Sequence, residues 1–176
     1  MRTRRLLVAS AAGLFVLGVA MPASAAPGGS TATITIQGGA LAITVPVDAG
    51  NLGTKVNNVG GETISGPLGQ VQVSDARSAA AGSGWVTSVI STAFTPTAGP
   101  AIAASAVSYT AGPITKVGTA TYTANDPGDL TGVVPAVTAT GITGDNSATW
   151  NPTISVAVPG GVAAGVYAAT ITHSVL

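Results

Sequence analysis

The chain has 176 residues, no cysteine, six Lys or Arg and six Asp or Glu, and only 7% of its residues are charged. The absence of cysteine excludes disulfide bonds, thiol catalysis and thiolate metal sites. Because basic groups are so few, summed charge cannot attract nucleic acid or an anionic membrane surface. Any partner must therefore be recognised by shape, hydrogen bonds or stacking.

The beginning of the chain has the pattern of a secretory signal peptide. Three arginines precede an apolar run over residues 6–20, and the small residues at 23–25 form an Ala-Ser-Ala cleavage site. The apolar run is shorter than the roughly 20 residues that a membrane-spanning helix needs. We therefore predict a signal peptide over residues 1–25, cleavage after Ala25, export from the cell and no membrane association afterwards.

The remaining residues, 26–176, are long enough for one domain with its own core. Short segments of alternating Thr, Val, Ile, Ala and Ser are typical of strands, and the Gly, Pro, Asn and Asp between them are typical of turns. The predicted strands are 31–37, 40–47, 68–74, 85–94, 102–110, 114–123, 132–140, 149–158 and 166–175. Turns are predicted at "QGG", "NNVGG", "ISGPLG", "NDPGD", "TGDN" and "VPGG".

No segment carries a convincing helical period. The alanine-rich stretches 78–82 and 99–106 are the only helix candidates, and both are short and bounded by Gly or Pro. Strands at spacings of roughly ten residues predict an all-β fold, a single antiparallel β-sandwich of Greek-key type.

Charge and aromatic side chains concentrate in the stretch "SDARSAAAGSGWV". We predict that Asp75 and Arg77 form a paired polar clamp and that the small residues after them form a flexible loop leading to Trp85. A tryptophan in a small sandwich either fills the core or leaves one face open for stacking on a sugar. The sequence leaves both interpretations of Trp85 open. Trp150 and Tyr167 are further candidate ligand-binding aromatics.

Catalytic residues are hard to assemble from this sequence. His173 is the only histidine, and no serine lies in a G-x-S-x-G elbow. Asp126, Asp129 and Asp145 lie in turn-like stretches where Asp usually bonds its own backbone. They are also weak candidates for a Ca²⁺ site if the fold gathers them, although their spacing matches no calcium loop. We predict a protein that is not an enzyme and that has no cofactor.

The order "GGALAITVP", "ISGPLGQVQVSDARSAAAGSGWVTSV" and "ATWNPTISVAVPGGVAAGVYAATITHSVL" resembles the WxL surface domain of Gram-positive bacteria, in the variant typical of actinobacteria. The Asp-Ala-Arg step at 75–77 and Gly84-Trp85 match its first motif, and the Val-Pro and Gly-Val-Tyr at 158–159 and 165–167 match the approach to its second. The chain departs from the family at two places. Thr87 stands where the first motif has leucine, and His-Ser-Val at 173–175 replaces the second Trp-x-Leu.

The resemblance implies a WxL-like, non-catalytic exported domain that holds to the cell wall. Its implied partner is peptidoglycan or another wall glycan, and sometimes another surface protein. The sequence shows no L-P-x-T-G sorting signal, so we expect non-covalent attachment of a secreted, extracellular or cell-wall-associated protein. The alternative is a secreted structural or adhesive subunit that binds other surface proteins through sheet edges or faces.

Overall fold

The computed structural model describes residues 32–176, so the predicted signal peptide lies outside the described residues. Ile36–Leu176 forms one compact unit. Within the described part, the only helical element is a 3-10 turn at Ala104–Ala106, in one of the two stretches considered for a helix. Among residues 32–176, no helix is long and apolar enough to cross a membrane.

Ten strands make up this unit. They are β1 (Leu41–Thr44), β2 (Glu62–Pro67), β3 (Val71–Ser91), β4 (Thr95–Pro96), β5 (Val107–Thr110), β6 (Thr115–Ala124), β7 (Val134–Trp150), β8 (Thr153–Val158), β9 (Tyr167–Ala168) and β10 (Ile171–Val175). Two of them, β3 and β7, are far longer than an ordinary strand of about six residues. These two long strands pair with each other and form the centre of the fold.

All strand pairs are antiparallel, and they form three sheets. The largest has the order β1-β3-β7-β6, with β10 also paired to β3. Strand β1 lies beside residues 72–75 of β3 and β10 beside residues 87–91, so two short strands share one side of one long strand. A three-stranded sheet has the order β2-β8-β5, and β4 pairs with β9.

One buried core draws on both of the larger sheets, so these sheets pack together. Its fully buried members include Val73 and Val89 on β3, Tyr109 on β5 and Ile154 on β8. Alternation places these side chains on the inner faces, and each fully buried aliphatic side chain contributes about 1.5–3 kcal/mol to stability. The prediction of an all-β fold with antiparallel sheets packed around one core is confirmed.

Several local predictions were wrong. Residues 76–84, predicted as a flexible loop, are part of β3, and the predicted turn at 143–146 lies inside β7. These two stretches pair through Ala79 opposite Gly144 and Ser83 opposite Ile142, with β-bulges between the pairs. A bulged ladder of Ala, Ser and Gly has no regular apolar alternation, so its sequence looks like a loop.

Two further differences concern single strands. Residues 64–67, predicted as part of the turn "ISGPLG", belong to β2 (Glu62–Pro67). Conversely, residues 32–37 of the predicted first strand are in no strand and are exposed. Their alternating pattern favours a strand, but strand pattern alone does not supply a hydrogen-bonding neighbour.

Candidate functional site

Asp75 is the centre of a polar network on the inner side of the larger sheet. The residue is 1% exposed and lies on β3. Its Oδ1 accepts hydrogen bonds from the Nε and the backbone N–H of Arg77 at 2.8 and 3.1 Å, and its Oδ2 accepts one from Nη2 of Arg77 at 2.9 Å. The guanidinium of Arg77 beside it holds the pKa of the Asp75 carboxyl below its usual value. The predicted pairing of these two residues is therefore present in the structure.

Asn146 on β7 joins this ion pair to two aromatic rings. Its Nδ2 donates to Oδ2 of Asp75 at 3.3 Å. Its Oδ1 accepts from the indole Nε1 of Trp85 at 3.1 Å and from the hydroxyl of Tyr122 at 3.2 Å. The two rings contact each other with centroids 5.5 Å apart. The network thus links β3, β7 and β6, with each buried polar group supplied with a partner.

Trp85 is 2% exposed, so neither face of its ring is open for stacking on a sugar. Gly84 precedes it because β7 approaches closely: a Cβ at this position would lie 2.7 Å from the carbonyl oxygen of Ala139. The carbonyl oxygen of Gly84 also accepts a 3.3 Å bond from Arg77. Of the two interpretations of Trp85, the structure shows the core position. The Gly-Trp pair and the Asp-x-Arg step hold the bulged part of β3 in place.

Thr87, where the resemblance to the WxL domain would place a leucine, has a specific structural role. It is fully buried next to a register shift between β3 and β7. Its hydroxyl donates to the carbonyl of Val137 at 3.2 Å and accepts from the N–H of the same residue at 3.0 Å. A leucine would leave both backbone groups without this partner, so the threonine stabilises the irregular ladder.

His173, where the resemblance to the WxL domain would place a tryptophan, faces the inside of the fold. Neither of its ring nitrogens has a hydrogen-bond partner, and both are buried. Its ring packs against Tyr109 of the smaller sheet with centroids 5.6 Å apart. Burial lowers the pKa of His173 to about 4. A ring at position 173 therefore fills space between the two sheets, and this histidine makes no pair with a serine or a carboxylate.

The other two candidate aromatics lie outside the Asp75 network. Trp150 is 2% exposed and donates its indole N–H to the hydroxyl of Tyr109 at 2.7 Å. Burial raises the pKa of that tyrosine. Tyr167 is partly exposed on β9, and its hydroxyl donates to the carbonyl of Ala163 at 2.9 Å. The five candidate ligand-binding residues thus lie in the Asp75 network, at a core position and in the separate two-stranded sheet of β4 and β9.

The three candidate calcium ligands bond to separate parts of the chain. Asp126 accepts from the N–H of Ala111 at 2.8 Å and Asp129 from the N–H of Thr131 at 2.8 Å. Asp145 accepts from the N–H of Ser78 at 2.9 Å. Among the residues that the structure describes, no three His, Cys, Asp or Glu side chains are grouped so that they could hold a metal ion.

The outer side of the larger sheet carries an unusual array of hydroxyl groups. Strands β6 and β7 place threonine opposite threonine at four positions of their ladder. These pairs are Thr115 with Thr149, Thr119 with Thr143, Thr121 with Thr140, and Thr123 with Thr138. We call these eight residues the threonine face. Six of them are exposed, and Thr138 and Thr149 are partly exposed.

The threonine face is nearly free of charge. Strand β6 has one charged residue, Lys116, and β7 has one, Asp145. A shallow depression near the Thr115 end of the face is lined by residues 74–76, Val117 and residues 145–147, and most of its exposed lining is apolar. Each hydroxyl donates one hydrogen bond and accepts up to two, as the hydroxyls of a sugar do. This surface can therefore bind a neutral polyhydroxylated ligand through many weak hydrogen bonds.

Sequence reasoning missed Asn146, Tyr122 and the pairing of the threonines between β6 and β7. Asn146 lies in the predicted turn 143–146. It is separated from Ala148 and Trp150 by even numbers of residues along β7, so alternation places all three side chains on the same, buried side. Extending the predicted strand towards the N-terminus would have placed it on the inner side. The threonine pairs depend on the register between β6 and β7, and no signal in the sequence shows that register.

No protein-family model matches this chain, and no curated protein or solved structure is significantly similar to it. The resemblance to the WxL domain accordingly stays a prediction that rests on the residues quoted above.

Proposed function

We propose that this chain is an exported, non-catalytic, cell-wall-associated protein that binds peptidoglycan or another wall glycan non-covalently through its threonine face. The observation that carries the proposal is the set of four threonine pairs on an open, nearly uncharged sheet face. Directly opposite side chains on paired strands are close neighbours, so each pair presents two hydroxyls to one ligand.

Two features support a glycan as the ligand. Sugars are neutral and rich in hydroxyls, so a face with few charges can bind them without first stripping water from ionic groups. The two strands of this face carry one charged residue each, Lys116 and Asp145. Their charges have opposite signs, so the face has no net attraction for anionic wall polymers. The resemblance to the WxL family supports the cell wall as the location of this glycan.

The position of His173 supports a binding role without catalysis. A general base must reach the proton that it removes, directly or through one water. The ring nitrogens of His173 are buried and unpartnered, and its ring packs against Tyr109 between the sheets. The carboxylates that we considered as metal ligands accept from backbone N–H groups: Asp126 from Ala111, Asp129 from Thr131 and Asp145, on β7, from Ser78.

The experiment compares two pairs of conservative substitutions. Thr121→Val with Thr140→Val removes one threonine pair from the face and keeps its shape and strand propensity. Thr110→Val with Thr153→Val is the matched control, because these exposed threonines also face each other, but on β5 and β8 of the smaller sheet. Each purified exported protein is sedimented with insoluble peptidoglycan, and serum albumin gives the background.

We expect the wild-type protein and the control pair to sediment above the background. The face pair should bind about tenfold more weakly, since two net hydrogen bonds are worth roughly 1–3 kcal/mol together. Two results overturn the proposal. One is sedimentation of the wild type no greater than that of albumin, and the other is equal binding by the face pair and the wild type.

A further inference from the structure

Residues 32–37, "ATITIQ", have a strand pattern but no strand partner. They lie in no strand, and all six are exposed. Ile34 is 88% exposed and Ile36 is 83% exposed, while Thr33 and Thr35 alternate with them. An extended segment would therefore have one isoleucine side and one threonine side. Exposed alternating β-branched residues of this kind are suited to joining the edge of a sheet.

Strand β6 offers such an edge. It is the outermost strand of the larger sheet, and β7 is its only partner among the described residues. None of the backbone hydrogen bonds formed outside the ladders of the described part involves residues 115–124. From Thr121 onwards the ladder with β7 is regular, and residues 119–124 carry no charge. The outward N–H and C=O groups of this stretch are ready to pair with another extended segment.

The two sides of this edge match the two sides of residues 32–37. Ala120 and Tyr122 are half-buried on the inner side, next to the core, and Thr121 and Thr123 are exposed on the outer side. A strand added here with its isoleucines inward would cover the remaining apolar surface of Ala120 and Tyr122. Its threonines would then extend the threonine face by one strand.

Other sheet edges are less suited to strand addition. Part of the outer side of β5 is already occupied, because the N–H of Tyr109 donates to the carbonyl of Pro127. The edge strand β2 has a charged residue, Glu62, at one end and Pro67 at the other, and both residue types discourage pairing. Strand β1 is only four residues long.

We propose that residues 32–37 of one copy of this chain add as a strand to β6 of a second copy. Because the donor segment and the accepting edge are different parts of the molecule, the contact is heterologous. Copies therefore join head to tail, and the result is a ring or an open chain of subunits. This assembly does not rest on glycan binding, and its test contains no glycan.

The absence of native cysteine makes disulfide trapping a clean test. Purified exported protein carrying Thr35→Cys is mixed with protein carrying Thr121→Cys under mild oxidation. The control mixture replaces the second variant with Val166→Cys, whose position is 83% exposed but lies outside β6. We expect about tenfold more disulfide dimer in the first mixture, because strand addition raises the effective concentration of the two thiols.

Two further variants distinguish the possible geometries. A chain with both Thr35→Cys and Thr121→Cys should give a ladder of linked oligomers. Adding Thr33→Pro together with Ile36→Pro should abolish the trapping in the mixture, because one of these two N–H groups faces β6 in either alignment and proline cannot donate to the ladder. Val56→Pro, at another exposed position outside the strands, should not abolish it. Equal dimer in the test and control mixtures would overturn the proposal. So would trapping that survives Thr33→Pro with Ile36→Pro, or a doubly substituted chain that closes only on itself.

Discussion

Protonation of His173 should destabilise the folded protein. The ring is buried against Tyr109, and neither nitrogen has a partner that would stabilise a positive charge. Its pKa in the folded state is about 4, below the ordinary value of 6.5. The unfolded chain therefore binds this proton at a higher pH than the folded chain does. Stability is at its full value above about pH 6.5, falls as the pH falls towards 4, and levels off below that.

The size of the effect follows from the difference between the two pKa values. A tenfold difference in proton affinity corresponds to about 1.4 kcal/mol, so a pKa lowered from 6.5 to about 4 corresponds to a loss of about 3 kcal/mol. This loss is large for a domain whose total stability is on the order of 5–15 kcal/mol. Asp75 does not contribute in the same window, because its pKa is lowered and its stabilisation is lost only below the ordinary aspartate range.

Urea unfolding at a series of pH values measures the effect, with the fluorescence of the buried Trp85 and Trp150 as the signal. The matched variant is His173→Phe, which keeps a ring against Tyr109 and removes the only histidine of the chain. We expect the free energy of unfolding of the wild type to fall between about pH 6.5 and pH 4 while that of the variant stays nearly constant. The same pH dependence in both proteins would show that His173 is not the group whose protonation destabilises the fold.

Three substitutions test the buried network and the irregular ladder by urea unfolding. Trp85→Ala should lose about 3–5 kcal/mol, because it empties a core position; a loss below about 1 kcal/mol would place the ring in solvent. Thr87→Val should lose about 1–3 kcal/mol, since the backbone groups of Val137 lose their partner, and an unchanged stability would contradict this role. Asp75→Asn should lose about 2 kcal/mol, because its amide NH₂ opposes the donors of Arg77; unchanged stability would show that the ion pair contributes nothing.

The sequence predicts the fold class because most strands follow a local rule. The stretch 114–123 alternates β-branched and small residues, and β6 spans Thr115–Ala124. Likewise, 40–47 contains β1, and 166–175 contains β9 and β10. In each case the pattern reflects which side chains must face the core, and that requirement can be read along the chain without knowledge of the partner strand.

The long strands could not be predicted in the same way. Residues 76–84 of β3 stay in the sheet because β7 pairs with them and because Arg77 ties Asp75 to the carbonyl of Gly84. These contacts join residues far apart in the sequence or depend on bulges, so no local pattern reports them. Asn146 is the clearest example, since a residue typical of turns acts as the buried link between two strands and two rings.

The candidate ligand-binding surface in the structure differs from the one that the sequence suggests, and the difference has a physical reason. Charge and aromatic rings are rare in this chain, so Asp75, Arg77 and Trp85 stand out when the sequence is read alone. In the structure Trp85 and Asp75 are buried. The tryptophan ring and the ion pair of Asp75 with Arg77 stabilise the bulged ladder between β3 and β7. The surface suited to a ligand consists of common threonines, and their arrangement depends on strand register.

The ratio of two peptidoglycan affinities, measured side by side for the two valine pairs, tests whether the threonine face binds the wall. We predict that Thr121→Val with Thr140→Val binds about tenfold more weakly than Thr110→Val with Thr153→Val, at equal folded stability. Equal affinities for the two pairs would contradict the claim that the threonine face binds the wall.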